Sequence, residues 1–171
     1  IKPEDGNIEI SSTDEKADAI IPVHIYGNPC DFDSIRKVSE ESKIPIIEDA
    51  CQAHGAKYFD KKVGSLGDVG CFSFYPTKNM SVGGDGGMIT TNDYSLYRKL
   101  TLLRSHGITK GNFEFPGRGK LDSSIINKRE AIEGGKLKRW YYEMQNLGYN
   151  YRITDIQCAL AISQMGKLNL F

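Results

Sequence analysis

The chain has 171 residues, enough for one domain with a real core. Twenty-two basic and twenty-two acidic residues leave no net charge, so bulk electrostatics favour neither nucleic acid nor an anionic membrane as a partner. No apolar stretch approaches the roughly 18 residues of a membrane span, and no signal-peptide pattern is present. The chain opens at Ile1, without an initiator methionine, and runs straight into polar sequence, which reads as a piece of a longer protein. Its four cysteines, Cys30, Cys51, Cys71 and Cys158, form no Cys-x-x-Cys pair, and no two histidines have ligand spacing, which argues against a zinc site. Scattered cysteines without a secretion signal suggest reduced, buried thiols and a cytoplasmic protein.

In chain order, the first strand is expected over 19–26, ended by Gly27-Asn28-Pro29. Asp31 then looks like a helix cap, with Phe32, Ile35 and Val38 along one face and Lys37, Glu40 and Glu41 on the other. Pro45-Ile46-Ile47-Glu48-Asp49 is a second short apolar run, ending in acid. Strand, helix and strand within about thirty residues is the signature of a parallel crossover. Gly70 to Tyr75 reads as a buried strand stopped by Pro76, and 87–91 as another, closed by Asn92-Asp93. A helix with Leu96, Leu100 and Leu103 inward follows, running to Ser105-His106-Gly107. The stretch 109–139 is rich in Gly, Lys, Arg and Glu with little periodicity, and reads as a long excursion. Order returns at 140–144. Thr154 with Gln157 three residues on then forms a capping-box pattern for a helix carrying Ile156, Leu160 and Ile162 to about Met165.

In parallel sheets, ligands bind beyond the carboxyl ends of the strands. Asp49, His24 to Gly27, and Ser73 to Lys78 all lie at such ends, so three segments deliver polar groups to one sheet edge. Lys78 follows an apolar run and precedes Gly83-Gly84-Asp85-Gly86-Gly87, a place where a lysine is shielded from solvent and can act as a nucleophilic amine. A strand-end acid, such a lysine and the Ser73 hydroxyl suit pyridoxal phosphate. Lys78 would form the Schiff base, Asp49 would keep the pyridine nitrogen protonated, Gln52 would reach the ring hydroxyl, and Ser73 would take the phosphate. Each residue also has a plainer reading: a surface lysine, a loop carboxylate, a small strand residue. His54 reads as a core or loop histidine, and His106 as one closing a helix C-terminus.

Four motifs occur in order: Glu48-Asp49-Ala50-Cys51-Gln52-Ala53-His54-Gly55, Ser73-Phe74-Tyr75-Pro76-Thr77-Lys78-Asn79, Gly84-Asp85-Gly86-Gly87, and Leu147-Gly148-Tyr149-Asn150-Tyr151-Arg152. From about Ala19 to its end the chain resembles the DegT/DnrJ/EryC1/StrS family of pyridoxal-phosphate-dependent nucleotide-sugar aminotransferases. The resemblance implies an α/β fold, part of a type I (aspartate aminotransferase-like) PLP-binding large domain with a mixed, mostly parallel sheet. It implies that Lys78 is the Schiff-base lysine, that Asp49 pairs with the pyridine nitrogen, and that Gln52 lies by the ring hydroxyl. It also implies that Ser73 contacts the phosphate, and that Asn150, otherwise a simple turn former, reaches the phosphate of a neighbouring subunit in a homodimer.

The stretches 140–160 and 104–108 look most like family members of the pseudaminic acid pathway. These aminate C4 of a UDP-linked 4-keto-6-deoxy-N-acetylhexosamine, with glutamate as donor. Departures from the family pattern are a longer stretch over 109–140, and no counterpart of the segment before Ile1 or of the small domain after Phe171. Residues 1–171 are therefore expected to be the central part of the large domain, with an inactive fragment or a relative acting on another keto-sugar as alternatives. A dehydratase subset of the fold carries histidine in place of the lysine, and Lys78 argues against it.

Overall fold

A computed structural model of the protein describes residues 4–12, 17–109, 132–133, 136–138 and 140–170. These fall into two compact units, Ile1–Tyr97 with Ile153–Phe171, and Arg98–Arg152.

The first unit is built on a three-stranded mixed sheet: β1 (Ile47–Asp49), β4 (Val69–Ser73) and β5 (Gly87–Thr90), in the order β1-β4-β5. β1 runs parallel to β4, with Asp49 opposite Cys71, and β4 runs antiparallel to β5, with Ser73 opposite Gly87. Along the other edge of β1, Ile20 and Val23 form isolated parallel bridges to Ile46 and Asp49. The expected continuous strand over 19–26 is thus two bridges followed by a 3-10 turn at Ile25–Gly27. The reason lies in Pro22. Ile20, Ile47, Asp49 and His24 each donate a backbone N–H across the pair, and proline lacks the N–H that would supply the rung between them.

Helix α1 (Phe32–Ser42) crosses between the two parallel segments. Asp31 caps it as the sequence suggests, its carboxylate accepting from the Ser34 backbone at 3.3 Å and the Ser34 hydroxyl at 2.7 Å. Phe32, Ile35 and Val38 are buried together with Ile20, Cys30 and Ile46, joining helix to sheet in one apolar cluster. Burying a side chain of this kind contributes about 1.5–3 kcal/mol, so the three-residue stripe is a large part of what holds α1 down. A second cluster, Ala50, Ala53 and Val63, lies under the loop after β1. A two-stranded ribbon, β2 (Lys57–Tyr58) with β3 (Lys61–Lys62), leads from it towards β4.

The third cluster, Phe74, Met80 and Val82, takes Ala161 of helix α3 (Asp155–Met165) and Leu168 against it. The capping box opens α3: the Gln157 N–H donates to Thr154 Oγ1 at 3.3 Å, and the Thr154 N–H donates to Gln157 Oε1 at 3.0 Å. Gln157 also donates through Nε2 to the Asp85 carbonyl at 2.9 Å, tying α3 to the glycine-rich loop. Ile156 and Ile162 are exposed on this helix. The four cysteines are free thiols, Cys30 buried and the other three only half-buried.

Helix α2 (Tyr94–Leu103) begins where the Asp93 carboxylate accepts the Ser95 and Leu96 N–H groups. Its buried residue is Leu102, while the expected inward set of Leu96, Leu100 and Leu103 is half-buried. In the second unit β6 (Ile108–Thr109) pairs antiparallel with β9 (Glu143–Met144), and β7 (Ile132–Glu133) with β8 (Lys136–Leu137). Residues 110–131, 134–135 and 139 of the expected 109–139 excursion lie outside the described residues.

Candidate functional site

A cleft of about 530 Å³ opens beside the sheet, lined by Tyr26, Gly27, Gln52, Ala53, His54, Ala56, Thr77, Lys78 and Asn79. That volume falls within the ordinary range for small-molecule sites. The lining comes from three places: the turn after Val23, the loop after β1, and the loop after β4. All three follow the carboxyl ends of parallel-paired segments, where open sheets expose main-chain groups and place ligands.

Lys78 and Gln52 share this cleft. Lys78 is half-buried on a turn closed by its own N–H donating to the Tyr75 carbonyl at 2.9 Å. β4 ends sooner than the apolar run suggested, at Ser73: after the Phe74 N–H bonds the Gly86 carbonyl, the Tyr75 N–H turns back to the Ser73 hydroxyl and Pro76 has no N–H to give. Gln52 accepts the Tyr26 N–H through Oε1 at 3.0 Å, which directs its amide NH₂ elsewhere as a donor. Tyr26 itself is 91 % exposed and has φ of 51°, a left-handed conformation that costs a tyrosine energy and that this bond helps to hold.

Asp49, half-buried, ends β1. Its Oδ1 accepts the Cys51 N–H at 3.0 Å. Asp49 and Lys78 both act on the Cys51 thiol, which places all three groups in one neighbourhood. Burial pushes that thiol up to about 11, with the hydrogen bond and charge of Asp49 adding to the effect and Lys78 opposing it. Ser73 ends β4, and its hydroxyl accepts the Tyr75 N–H at 3.2 Å. Asp49 and Ser73 stand on neighbouring strands beside the cleft rather than among its lining residues. Asn150 belongs to the second unit, where it is exposed and bridges Ser105.

His54 sits on the loop after β1 with its ring packed among aromatic side chains. Its ring lies 5.5 Å from Phe72 and 5.9 Å from Phe74, and it lines the cleft with Lys78. Burial pulls its pKa down, the Ser73 backbone partly opposes this, and the Lys78 charge adds to the lowering. Among the described residues neither ring nitrogen reaches hydrogen-bond geometry with a partner. A neutral imidazole with unused bonding capacity therefore borders the cleft.

The sequence placed His24 among the polar groups of the sheet edge and gave Glu48 no role, whereas the structure pairs the two in the interior. Glu48 and His24 are both fully buried, with Glu48 Oε2 3.2 Å from His24 Nε2. The signal was present in the strand period: consecutive residues of β1 face opposite sides of the sheet, so Glu48 turns away from the side that Asp49 takes.

The whole chain, residues 1–171, matches the model of the DegT/DnrJ/EryC1/StrS aminotransferase family. It is 34 % identical over 172 residues to a UDP-4-amino-4,6-dideoxy-N-acetyl-beta-L-altrosamine transaminase of Campylobacter jejuni, a match covering 96 % of this chain and 39 % of that protein. It is 38 % identical over 151 residues to a GDP-perosamine synthase of Caulobacter vibrioides, covering 88 % of this chain and 33 % of the relative. The chain thus spans well under half the length of these relatives. Among solved structures, Helicobacter pylori PseC, an aminotransferase involved in the biosynthesis of pseudoaminic acid, superposes with a TM-score of 0.75 at 28 % identity, over 99 % of this chain and 39 % of that one. The α/β fold with its mixed sheet is that of the PLP-dependent aminotransferases. This chain belongs to the DegT/DnrJ/EryC1/StrS aminotransferase family.

Proposed function

We propose that the protein is the central part of the large domain of a pyridoxal-phosphate-dependent aminotransferase that places an amino group on the keto carbon of a nucleotide-linked sugar. One observation carries the reading. A half-buried lysine and a glutamine amide share a cleft of small-molecule size at the carboxyl end of a mixed sheet, with a carboxylate at the end of the neighbouring strand. That donor set fits the cofactor. The amine would meet its aldehyde, the amide donor its ring hydroxyl, and the acid its ring nitrogen.

When bound, the cofactor supplies an electron sink for charge that develops on the carbon losing its proton. Lys78 would hold the cofactor by its amine at the aldehyde carbon, and its Nζ is the group that would carry the proton during transfer. Asp49 holds a proton on the ring nitrogen, without which the ring is a poor sink. Gln52 orients the ring through its amide NH₂, which the Tyr26 bond leaves available. Ser73 contributes its hydroxyl to the phosphate, and Asn150 reaches the phosphate bound by a second subunit, making the working form a homodimer. The lysine at position 78 disfavours the dehydratase chemistry of histidine-bearing relatives.

For the substrate, the likeness over 140–160 and to the altrosamine transaminase favours a UDP-linked 4-keto-6-deoxy-N-acetylhexosamine, aminated at C4 with glutamate as donor. The similarity to a GDP-perosamine synthase supports a second reading, a GDP-linked keto-sugar. Among the described residues no helix is long and apolar enough to cross a membrane, and the reading places the enzyme in the cytoplasm. The test is to incubate the protein with pyridoxal phosphate, glutamate and each keto-sugar in turn, and to follow 2-oxoglutarate. Turnover with the UDP-sugar and none with the GDP-sugar supports the first substrate, and the reverse supports the second. Cofactor colour equal in the wild type and in Lys78→Ala overturns the aminotransferase reading itself.

A further inference from the structure

The interior behind the cleft holds a carboxylate that does not face it. Glu48 Oε1 accepts the Leu66 and Gly67 N–H groups, each at 2.7 Å, and Oε2 accepts the Gly64 N–H at 2.6 Å and faces His24 Nε2 at 3.2 Å. Both oxygens are thus doubly bonded to donors inside the protein. His24 is similarly committed. Its Nδ1 accepts the Cys30 N–H at 3.1 Å, which requires the ring proton on Nε2, where it donates to Glu48. The backbone N–H of His24 meanwhile donates to the Asp49 carbonyl at 3.1 Å.

The bonds close a circuit through the cleft. His24 holds the Glu48 side chain and the Asp49 main chain at once. Two residues past His24, the Tyr26 N–H returns to Gln52, three residues past Asp49. On the far side, Gly64 is gripped by Glu48 and by the Thr90 hydroxyl, and it lies so close to Gly70 that no side chain fits between them. A buried carboxylate is a costly way to hold a turn, since apolar packing often does it as well. What a fully satisfied polar network adds is a single geometry. A carboxylate that must meet one ring nitrogen needs placing within about half an ångström.

We infer that His24 and Glu48 are positioning residues that set the strand end carrying Asp49 and, through the Tyr26 turn, Gln52, for a ligand bearing a protonated aromatic ring nitrogen. The inference rests on the cofactor reading above. Neither residue touches the ligand; they act through Asp49 and Gln52.

The experiment compares binding of pyridoxal phosphate with binding of its 1-deaza analogue, in which CH replaces the ring nitrogen. The preference between the two reports the placement of Asp49 rather than overall stability. The wild-type protein should prefer pyridoxal phosphate at least about tenfold, the scale of one charge-assisted hydrogen bond. Asp49→Asn should reduce that preference to about twofold or less on the same scale. In Glu48→Gln the amide NH₂ meets main-chain donors whichever way it turns, and Cys30 prevents His24 from switching tautomer to compensate.

The prediction is that Glu48→Gln, assayed at a temperature where circular dichroism shows it folded, loses most of the preference with Asp49 untouched. If Glu48→Gln does not fold, His24→Asn carries the same measurement, because it keeps an acceptor for Cys30 and leaves Glu48 its three main-chain donors. Folded variants that melt earlier yet keep the full preference overturn the inference and leave the cofactor reading intact. A wild-type protein without any preference overturns both.

Discussion

Cys51 shows how far the cleft's surroundings act on one group. Its thiol is carried from 9.0 to about 11, by burial first and then by Asp49, so at pH 8 it holds roughly a hundredfold less thiolate than an ordinary cysteine. Iodoacetamide at pH 8 should therefore modify Cys51 far more slowly than it modifies glutathione, as peptide mass spectrometry would show. Labelling at the glutathione rate would contradict the burial of the thiol beside Asp49. A second residue-scale prediction concerns Gly70, where an added Cβ would collide with the main chain of Gly64 and crowd Thr90 Oγ1 at 2.7 Å. Backbone cannot swing aside as a flexible side chain can. Gly70→Ala should destabilise the fold by about 1–3 kcal/mol, read as a lowered urea midpoint with unchanged slope. Nothing in the sequence marked Gly70 apart from its neighbours, because its constraint comes from a turn six residues upstream that only folding brings against it. Lys78, Gln52 and Asp49 could be singled out for the opposite reason: each sits in a contiguous motif at a strand end.

At the scale of elements, the helices were read more easily than the strands. Asp31 and Thr154 announce α1 and α3 because a cap is a local interaction between residues three apart. Thr154→Ala removes the hydroxyl that accepts the Gln157 N–H, and should cost about 1 kcal/mol in thermal or urea unfolding. Thr154→Ser should restore most of it. A Thr154→Ala protein as stable as the wild type would mean that α3 is held by Ala161, Leu168 and the Gln157 bond to Asp85 alone. The 19–26 segment was misread because apolar, β-branched composition reports that a segment is buried and extended, not that its ladder is complete. Pro22 was visible in the sequence, and its missing donor is what divides the pairing into two bridges. The inward face of α2 was also misjudged, since Leu102 rather than the Leu96–Leu100–Leu103 stripe is buried. Spacing alone does not say which of two leucine rows meets a neighbour.

For the whole molecule, Glu48 couples stability to pH. Burial by itself would raise its pKa, but the imidazole and the Gly67, Gly64 and Leu66 N–H groups outweigh burial and bring it below 4.5. A carboxyl whose pKa is lower folded than unfolded contributes its full stabilisation above the unfolded value. That stabilisation is lost as pH falls through the folded value. Urea unfolding should therefore show stability falling below about pH 4.5, and a folded Glu48→Gln protein should show a shallower fall. Identical slopes would mean that other carboxylates govern acid unfolding. The fold class and the segments that line the cleft were legible because four motifs of one family occur in order along the chain. The Glu48–His24 circuit was not, since its members are drawn from 24, 30, 48 and 64–67 and meet only through the sheet.

The central claim is that Lys78 is the residue that takes the cofactor. The direct measurement is borohydride reduction of the protein with pyridoxal phosphate, followed by digestion and mass spectrometry to locate the attached group. The account predicts one dominant modified peptide, containing Lys78, and loss of that product in Lys78→Ala. Modification spread evenly over exposed lysines such as Lys57, Lys61 and Lys62, unchanged in Lys78→Ala, would contradict it.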